Sequence, residues 1–220
     1  MTRGPLLTKE YYHLYNRGTE KRRIFDTKSD YERFLGLLYL SNGTQPTHIS
    51  NHRGSTLMQW LQMDRGEPLI DIAAYALMPN HFHLLVRQRK ENGISNFMQK
   101  LMTGYTMYFN TKNKRTGTLF QGRYRSEHVQ NDRYLKYLIS YIHLNPIKLI
   151  DPAWKESGIV NSTRAKKFLE QYRYSSYIDY TDVPRKERGI IAMGSLPRYW
   201  KTRREFRKEI ADWLTYNHSL

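Results

Sequence analysis

Two histidines separated by one residue, His81 and His83, lie in the segment Tyr-Ala-Leu-Met-Pro-Asn-His-Phe-His-Leu-Leu-Val-Arg-Gln at 75–88. On a β-strand, side chains at i and i+2 share a face. Both imidazoles therefore project together, while Phe82 turns the other way, into a core. Two imidazoles on one rigid face make half of a metal site. Such a pair is common on strands and does not establish a site alone. A second chemical pair lies downstream, where Tyr141 and Asn145 are four residues apart in Tyr-Ile-His-Leu-Asn-Pro. On a helix that spacing is about 40° around the axis. An amide oxygen is a legitimate ligand for a hard divalent cation, and a tyrosine one turn away can present its phenolate to a phosphate held by the same metal. Tyr134, Tyr137 and Tyr141 also fit an aromatic stripe in a core. Tyr105 and Tyr108 compete as nucleophiles, because their helix too follows the histidine strand. Asn145 favours Tyr141. His143 falls roughly 160° from Tyr141 on the helix and reads as structural, and His13, His48 and His128 carry no signal.

The elements that must hold these residues can be read from periodicity. Residues 9–16 are aromatic-rich and form a first strand. Ser29 with Glu32 makes a capping box, opening a helix whose buried face is Tyr31, Phe34, Leu35, Leu38 and Tyr39. Residues 44–66 are polar and turn-rich, with a short apolar patch at 57–61; they read as a long loop or a short inserted element. Residues 68–77 form a second strand, and Met78-Pro79-Asn80 turns the chain into the histidine strand as an antiparallel hairpin. Gly93 opens a second helix with Phe97, Leu101, Tyr105, Tyr108 and Phe109 on its apolar face. Residues 118–130 read as a strand or hairpin. Asn131 or Asp132 caps a third helix that runs to Leu144, where Pro146 disfavours an α conformation at Asn145. The order is βαββαβ, the split-βαβ or ferredoxin-like α+β pattern. It implies an antiparallel sheet with helices on one face, an open opposite face, and the histidines on a central strand. Residues 1–150 are the expected catalytic domain. Residues 151–220 are a basic, helical and irregular extension packed on it, with a terminal helix near 203–216.

The formal net charge is +16 over 220 residues. That surplus argues for a polyanionic partner, and nucleic acid fits better than membrane because no 18-residue apolar run or lipidation motif is present. The first ten residues lack the apolar core of a secretory signal, so a cytoplasmic location is expected. The absence of cysteine excludes disulfides, cysteine-based zinc sites and a thiol nucleophile. Between Val86 and Lys148 there are 12 Lys or Arg against 3 Asp or Glu. Lys112, Lys114, Arg115, Arg123 and Arg125 precede the Tyr141 helix, and as a group they suggest a phosphate-contacting face. Arg17, Arg22 and Arg23 are weaker candidates.

Taken in order, the segments Tyr-Ala-Leu-Met-Pro-Asn-His-Phe-His-Leu-Leu-Val and Tyr-Ile-His-Leu-Asn-Pro-Ile-Lys resemble the HUH single-tyrosine transposases. Within them, the chain looks like the transposase-like proteins associated with repetitive extragenic palindromes. The segments Tyr-His-Leu-Tyr-Asn-Arg-Gly at 12–18, Phe-Gln-Gly-Arg-Tyr at 120–124 and Tyr-Ser-Ser-Tyr at 174–177 add to the likeness, which spans about residues 11–180. The resemblance implies that His81, His83 and Asn145 hold a divalent metal, Mg²⁺ or Mn²⁺; a glutamine can stand at the third position in related enzymes. It implies that Tyr141 attacks a DNA phosphorus, keeps the 5′ phosphate and frees a 3′ hydroxyl, and that the reverse attack rejoins strands. The implied substrate is single-stranded DNA with a nearby hairpin, and the implied assembly is a monomer rather than a helix-exchanged dimer. Two alternatives remain open: a non-catalytic ferredoxin-like module that binds DNA or RNA, and a rolling-circle replication initiator.

Overall fold

The strand that carries the histidines is an inner strand of the sheet. β1 is Tyr11–Arg17, β2 Ile70–Met78, β3 His81–Gln88 and β4 Arg125–His128. Met78 faces His81 across a turn made by Pro79 and Asn80, so β2 and β3 form a two-residue hairpin. β1 pairs antiparallel with the far side of β3, and β4 with the far side of β1. The order is β2-β3-β1-β4. With α1 (Lys28–Leu40) after β1 and α3 (Gly93–Lys112) after β3, this is the expected ferredoxin-like βαββαβ arrangement. The computed structural model describes residues 5–46, 54–181 and 183–215.

Strand alternation sorts the sheet into two cores. On one face Leu14, Phe82, Leu84, Val86, Tyr75 and Leu77 pack against Phe34, Leu38, Phe97, Leu101 and Tyr105 of α1 and α3. Burying each such side chain contributes roughly 1.5–3 kcal/mol. The opposite face, expected to be open, is covered. α4 (Asp132–Leu144) lays Leu135, Leu138, Ile139 and Ile142 over Ala74, Ala76 and Leu85. The short alanines of β2 leave room for that helix.

The start of α1 differs from the sequence reading. Thr27, not Ser29, is the N-cap, and Asp30 rather than Glu32 returns the capping bond by accepting from the Thr27 amide at 2.9 Å. The reason is tertiary. Asp30 is fully buried and also accepts from Lys112 at 2.6 Å and Tyr108 at 2.9 Å, so the helix starts where that carboxylate can be satisfied. The 44–66 stretch supplies α2 (Leu57–Trp60), whose Trp60 presses on α1 where Gly36 leaves no Cβ; one built there would stand 2.3 Å from the indole.

The C-terminal segment closes the β2 edge. Leu77 donates its amide to the Tyr174 carbonyl at 2.9 Å, and Ala76 bridges Ser175. The Tyr172 and Tyr180 hydroxyls donate to the carbonyls of Leu77 and Ala73, at 2.6 and 2.8 Å. α5 (Trp154–Ser157), α6 (Ser162–Gln171), α7 (Tyr177–Tyr180) and α8 (Arg203–Thr215) follow α4, and Trp154, Leu169, Tyr177, Phe206 and Ile210 share its core. Among the described residues no helix is long and apolar enough to cross a membrane.

Candidate active site

His81 and His83 project from β3 with their rings edge to face, centroids 5.1 Å apart. Each is oriented by a partner. His81 Nδ1 lies 2.7 Å from Asn80 Oδ1, so Nδ1 carries the proton and Nε2 keeps its lone pair. His83 Nδ1 lies 2.9 Å from His13 Nε2. Behind His13 stands Glu127, with an oxygen 3.8 Å from His13 Nδ1, and Glu127 also accepts from the Tyr15 hydroxyl at 2.6 Å. A proton on His13 Nδ1 facing that carboxylate makes His13 Nε2 an acceptor and leaves His83 Nε2 available. Burial pushes the imidazoles of His13 and His81 down to about 4, opposed at His13 by Glu127 and at His81 by the Asn145 amide. Burial, with His13 and His81 beside it, takes His83 well below the ordinary value. All three rings are therefore neutral near pH 7, the form that binds a metal.

The second pair arrives on α4. The Asn131 side chain caps this helix by accepting from the Tyr134 amide at 2.8 Å. At its far end Tyr141 stands edge-on to His83 and His13, with centroids 5.9 and 6.3 Å away. Asn145 is 2 % exposed and lies against His81. Its amide nitrogen has no partner among the described residues. Contrary to the expectation for a residue before proline, Asn145 keeps helical angles (φ −52, ψ −39), and the chain tightens into a 3₁₀ turn over Asn145–Leu149 that accepts Pro146 at its start. The structure thus brings His81, His83, Tyr141 and Asn145 together within one chain. Two imidazoles and an amide oxygen form a fitting donor set for Mn²⁺ or Mg²⁺, with water and phosphate oxygens completing it. Among the described residues no three His, Cys, Asp or Glu side chains cluster as a metal site; the side chain that lies beside the two imidazoles is the Asn145 amide.

The competing tyrosines lie across the sheet. Tyr105 donates to the Ile24 carbonyl and Tyr108 to Asp30, both within the α1–α3 layer. His143 is buried against Tyr180 and Phe206, bonds Ser176 Oγ at 2.8 Å, and is pushed by burial down to about 3. His128 pairs with Glu10 at 3.0 Å. His48 lies outside the described residues.

The basic candidates divide. Arg17 is in register with His81, and Arg125 with Tyr15, so both border the histidine face. Arg17 holds the Gln121 side chain, and Arg123 is exposed just before β4. Lys112 is engaged by Asp30, and Arg115 by Asn110 at 2.5 Å and the Thr118 carbonyl at 3.0 Å. Lys114 is exposed after α3.

Four residues at the site were not singled out from sequence. His13 and Tyr15 were legible in principle, because alternation puts them on one face of β1 and this topology places β1 beside the histidine strand. Glu127 follows from the same pairing. Lys155 gave no signal: it comes from α5 in the extension, where its Nζ donates to Tyr141 Oη at 2.7 Å and lies 3.9 Å from the ring centroid.

Comparison with known proteins agrees with this picture. Residues 47–145 match the sequence model of the IS200-like transposases. No curated protein matches. The fold is shared with a REP-associated tyrosine transposase solved bound to a REP hairpin, at 12% identity and a TM-score of 0.50, covering 91% of this chain and 90% of that one. A putative transposase from Deinococcus radiodurans R1 is 18% identical with a TM-score of 0.34, covering 64% of this chain and 95% of that one. The matched segment spans the histidine strand and ends at Asn145, so the part of the chain that carries His81, His83, Tyr141 and Asn145 is similar to the IS200-like transposases.

Proposed function

We propose that this protein cuts and rejoins single-stranded DNA beside a hairpin, through a covalent bond between Tyr141 and the 5′ phosphate. The observation that carries the reading is the approach of Tyr141 to His83 and His13 within one chain, with Asn145 one turn on against His81. In the forward step Tyr141 Oη attacks phosphorus, the P–O3′ bond breaks, and the 3′ oxygen leaves to become a hydroxyl with a proton from water. The phenol proton is lost to solvent. The reverse attack by a 3′ hydroxyl restores the diester, and because one ester replaces another, no nucleotide cofactor is consumed. Lys155 donates to Tyr141 Oη, which fixes the phenol and offsets charge on its oxygen. His81, His83 and Asn145 would hold a divalent ion, and when bound it polarises the scissile phosphate and offsets its developing charge. Arg17 and Arg125 border the same face and, with the exposed Arg123 just before β4, would receive neighbouring phosphates. The REP hairpin bound by the structural neighbour supports hairpin-bearing DNA as the substrate.

The test is direct. The protein is incubated with hairpin-containing single-stranded DNA and Mn²⁺, and a denaturing gel is read for a protein–DNA adduct. Wild type forms it and Tyr141→Phe does not. An adduct that persists in Tyr141→Phe overturns the assignment of the nucleophile.

A further inference from the structure

On the side of Tyr141 away from the sheet, α4, α5 and α8 enclose a cavity of about 770 Å³, within the range of about 300–1,000 Å³ usual for small-ligand sites. Its walls are Tyr137, Tyr141, Trp154 and Trp213, with Lys155, Glu209 and Asp212 as the charged groups. We propose that this cavity receives an unstacked base of the DNA strand, from a nucleotide flanking the bond that Tyr141 attacks, and that it selects bases bearing an exocyclic amino group. The proposal rests on the assignment of Tyr141 as nucleophile, and it adds a specificity subsite built by the C-terminal extension.

Three features carry it. The first is the aromatic surface. Tyr137 is 40 % exposed although large and partly apolar, and it stacks on Tyr141 with centroids 6.0 Å apart and planes 28° apart. Trp213 stands 5.5 Å from Tyr137 on the other side. Aromatic faces of this kind stack bases irrespective of sequence.

The second is the arrangement of charge. The cation, Lys155, is on α5 and touches the Tyr141 oxygen, where a phosphate would react. The carboxylates, Glu209 and Asp212, are on α8. Lys136 pairs with Glu209 at 2.7 Å. A cavity meant for phosphate throughout would not carry two carboxylates in its lining. A nucleotide has the matching polarity, with phosphate at one end and base-edge donors at the other. Carboxylates accept from the amino groups of cytosine, adenine or guanine, whereas thymine has no amino group and its one donor, N3–H, is flanked by two carbonyl oxygens that they repel.

The third is continuity. Tyr141 belongs both to this cavity and to the histidine site, so a base held here comes from the nucleotide next to the reacting phosphate.

The experiment uses the full chain and fluorescently labelled hairpin DNA without divalent metal, so that binding is read apart from cleavage. Each of the four bases, and an abasic site, is placed in turn at the positions flanking the cut. At one position thymine should bind about tenfold more weakly than the best amino-bearing base, and Asp212→Asn should shrink the difference to about twofold. Asp212 is exposed and Asn keeps its size, and urea unfolding beside wild type checks that the variant is folded. Trp213→Ala should weaken all four bases there by about tenfold and leave abasic DNA unaffected. Equal binding of all four bases at every flanking position overturns the proposal, as does discrimination unchanged in Asp212→Asn. Tyr141→Phe should keep the discrimination while losing the adduct. Discrimination without any wild-type adduct leaves the subsite standing and removes the nucleophile. An adduct without discrimination does the reverse.

Discussion

Lys155 Nζ lies 2.7 Å from Tyr141 Oη, joining the C-terminal extension to the residue placed over the histidines. The ammonium also lies 3.9 Å from the ring centroid, so the phenol is held both by its oxygen and through its face. Such a donor acts most where charge develops on the oxygen, as it does when Tyr141 becomes a nucleophile or a leaving group. Lys155→Met should slow single-turnover adduct formation by about 10²-fold while changing DNA affinity little, and Lys155→Arg should recover part of the rate. An unchanged rate in Lys155→Met would reduce the contact to packing.

His13 touches His83 rather than the substrate side of the site. Its Nε2 stands 2.9 Å from His83 Nδ1, with Glu127 behind it. Partners of this kind fix the tautomer and orientation of a metal-ligating imidazole, and losing one costs about 10- to 100-fold in metal affinity. His13→Ala should weaken Mn²⁺ binding by about that factor in calorimetry, without DNA present. Equal affinity in the variant would mean that His83 needs no such support.

How much of this was visible beforehand depends on the range of the interaction. The strand of His81 and His83, the helix of Tyr141 and Asn145 and the βαββαβ order follow from local periodicity, and the structure carries them. The support for the site is non-local. His13 meets His83 only once β1 pairs with β3, and Lys155 reaches Tyr141 only because the extension folds over α4. The cap of α1 shows the same limit. Ser29 and Glu32 satisfy the local pattern, but Asp30 is held by Lys112, 82 residues away, and that contact sets the helix start. Charge clustering alone likewise could not show that Lys112 has a carboxylate partner.

The Asp30 carboxylate yields a stability prediction. Burial pushes its pKa up, but Lys112, the Thr27 amide, Tyr108 and the Asp26 amide outweigh burial and hold it below the ordinary value of 3.8. A carboxyl depressed on folding adds stability that is present above its unfolded pKa and is lost as pH falls through the folded one. Asp30→Ala leaves Lys112 and the α1 amides unmatched and should cost about 3–5 kcal/mol in urea unfolding at pH 7. The gap between wild type and Asp30→Asn should narrow as the pH falls below about 4. A gap that stays constant would show that the carboxylate's charge contributes nothing.

The single-chain arrangement of the site can be tested by complementation. Tyr141 stands 5.9 Å from His83 of its own chain, and Asn145, on the same helix, lies against His81. α4 is also fixed in place by the core it shares with β2 and the extension, so handing it to a second copy would expose both of its partners. In a helix-exchanged dimer, by contrast, a subunit lacking the tyrosine and one lacking the histidines could together make one intact site. Mixing Tyr141→Phe with a His81→Ala, His83→Ala double variant should therefore give no more covalent adduct than either protein alone, even after co-refolding at high concentration. Adduct that appears only in the mixture would mean that Tyr141 works on its partner's histidines, and that the cis geometry is not the form that reacts.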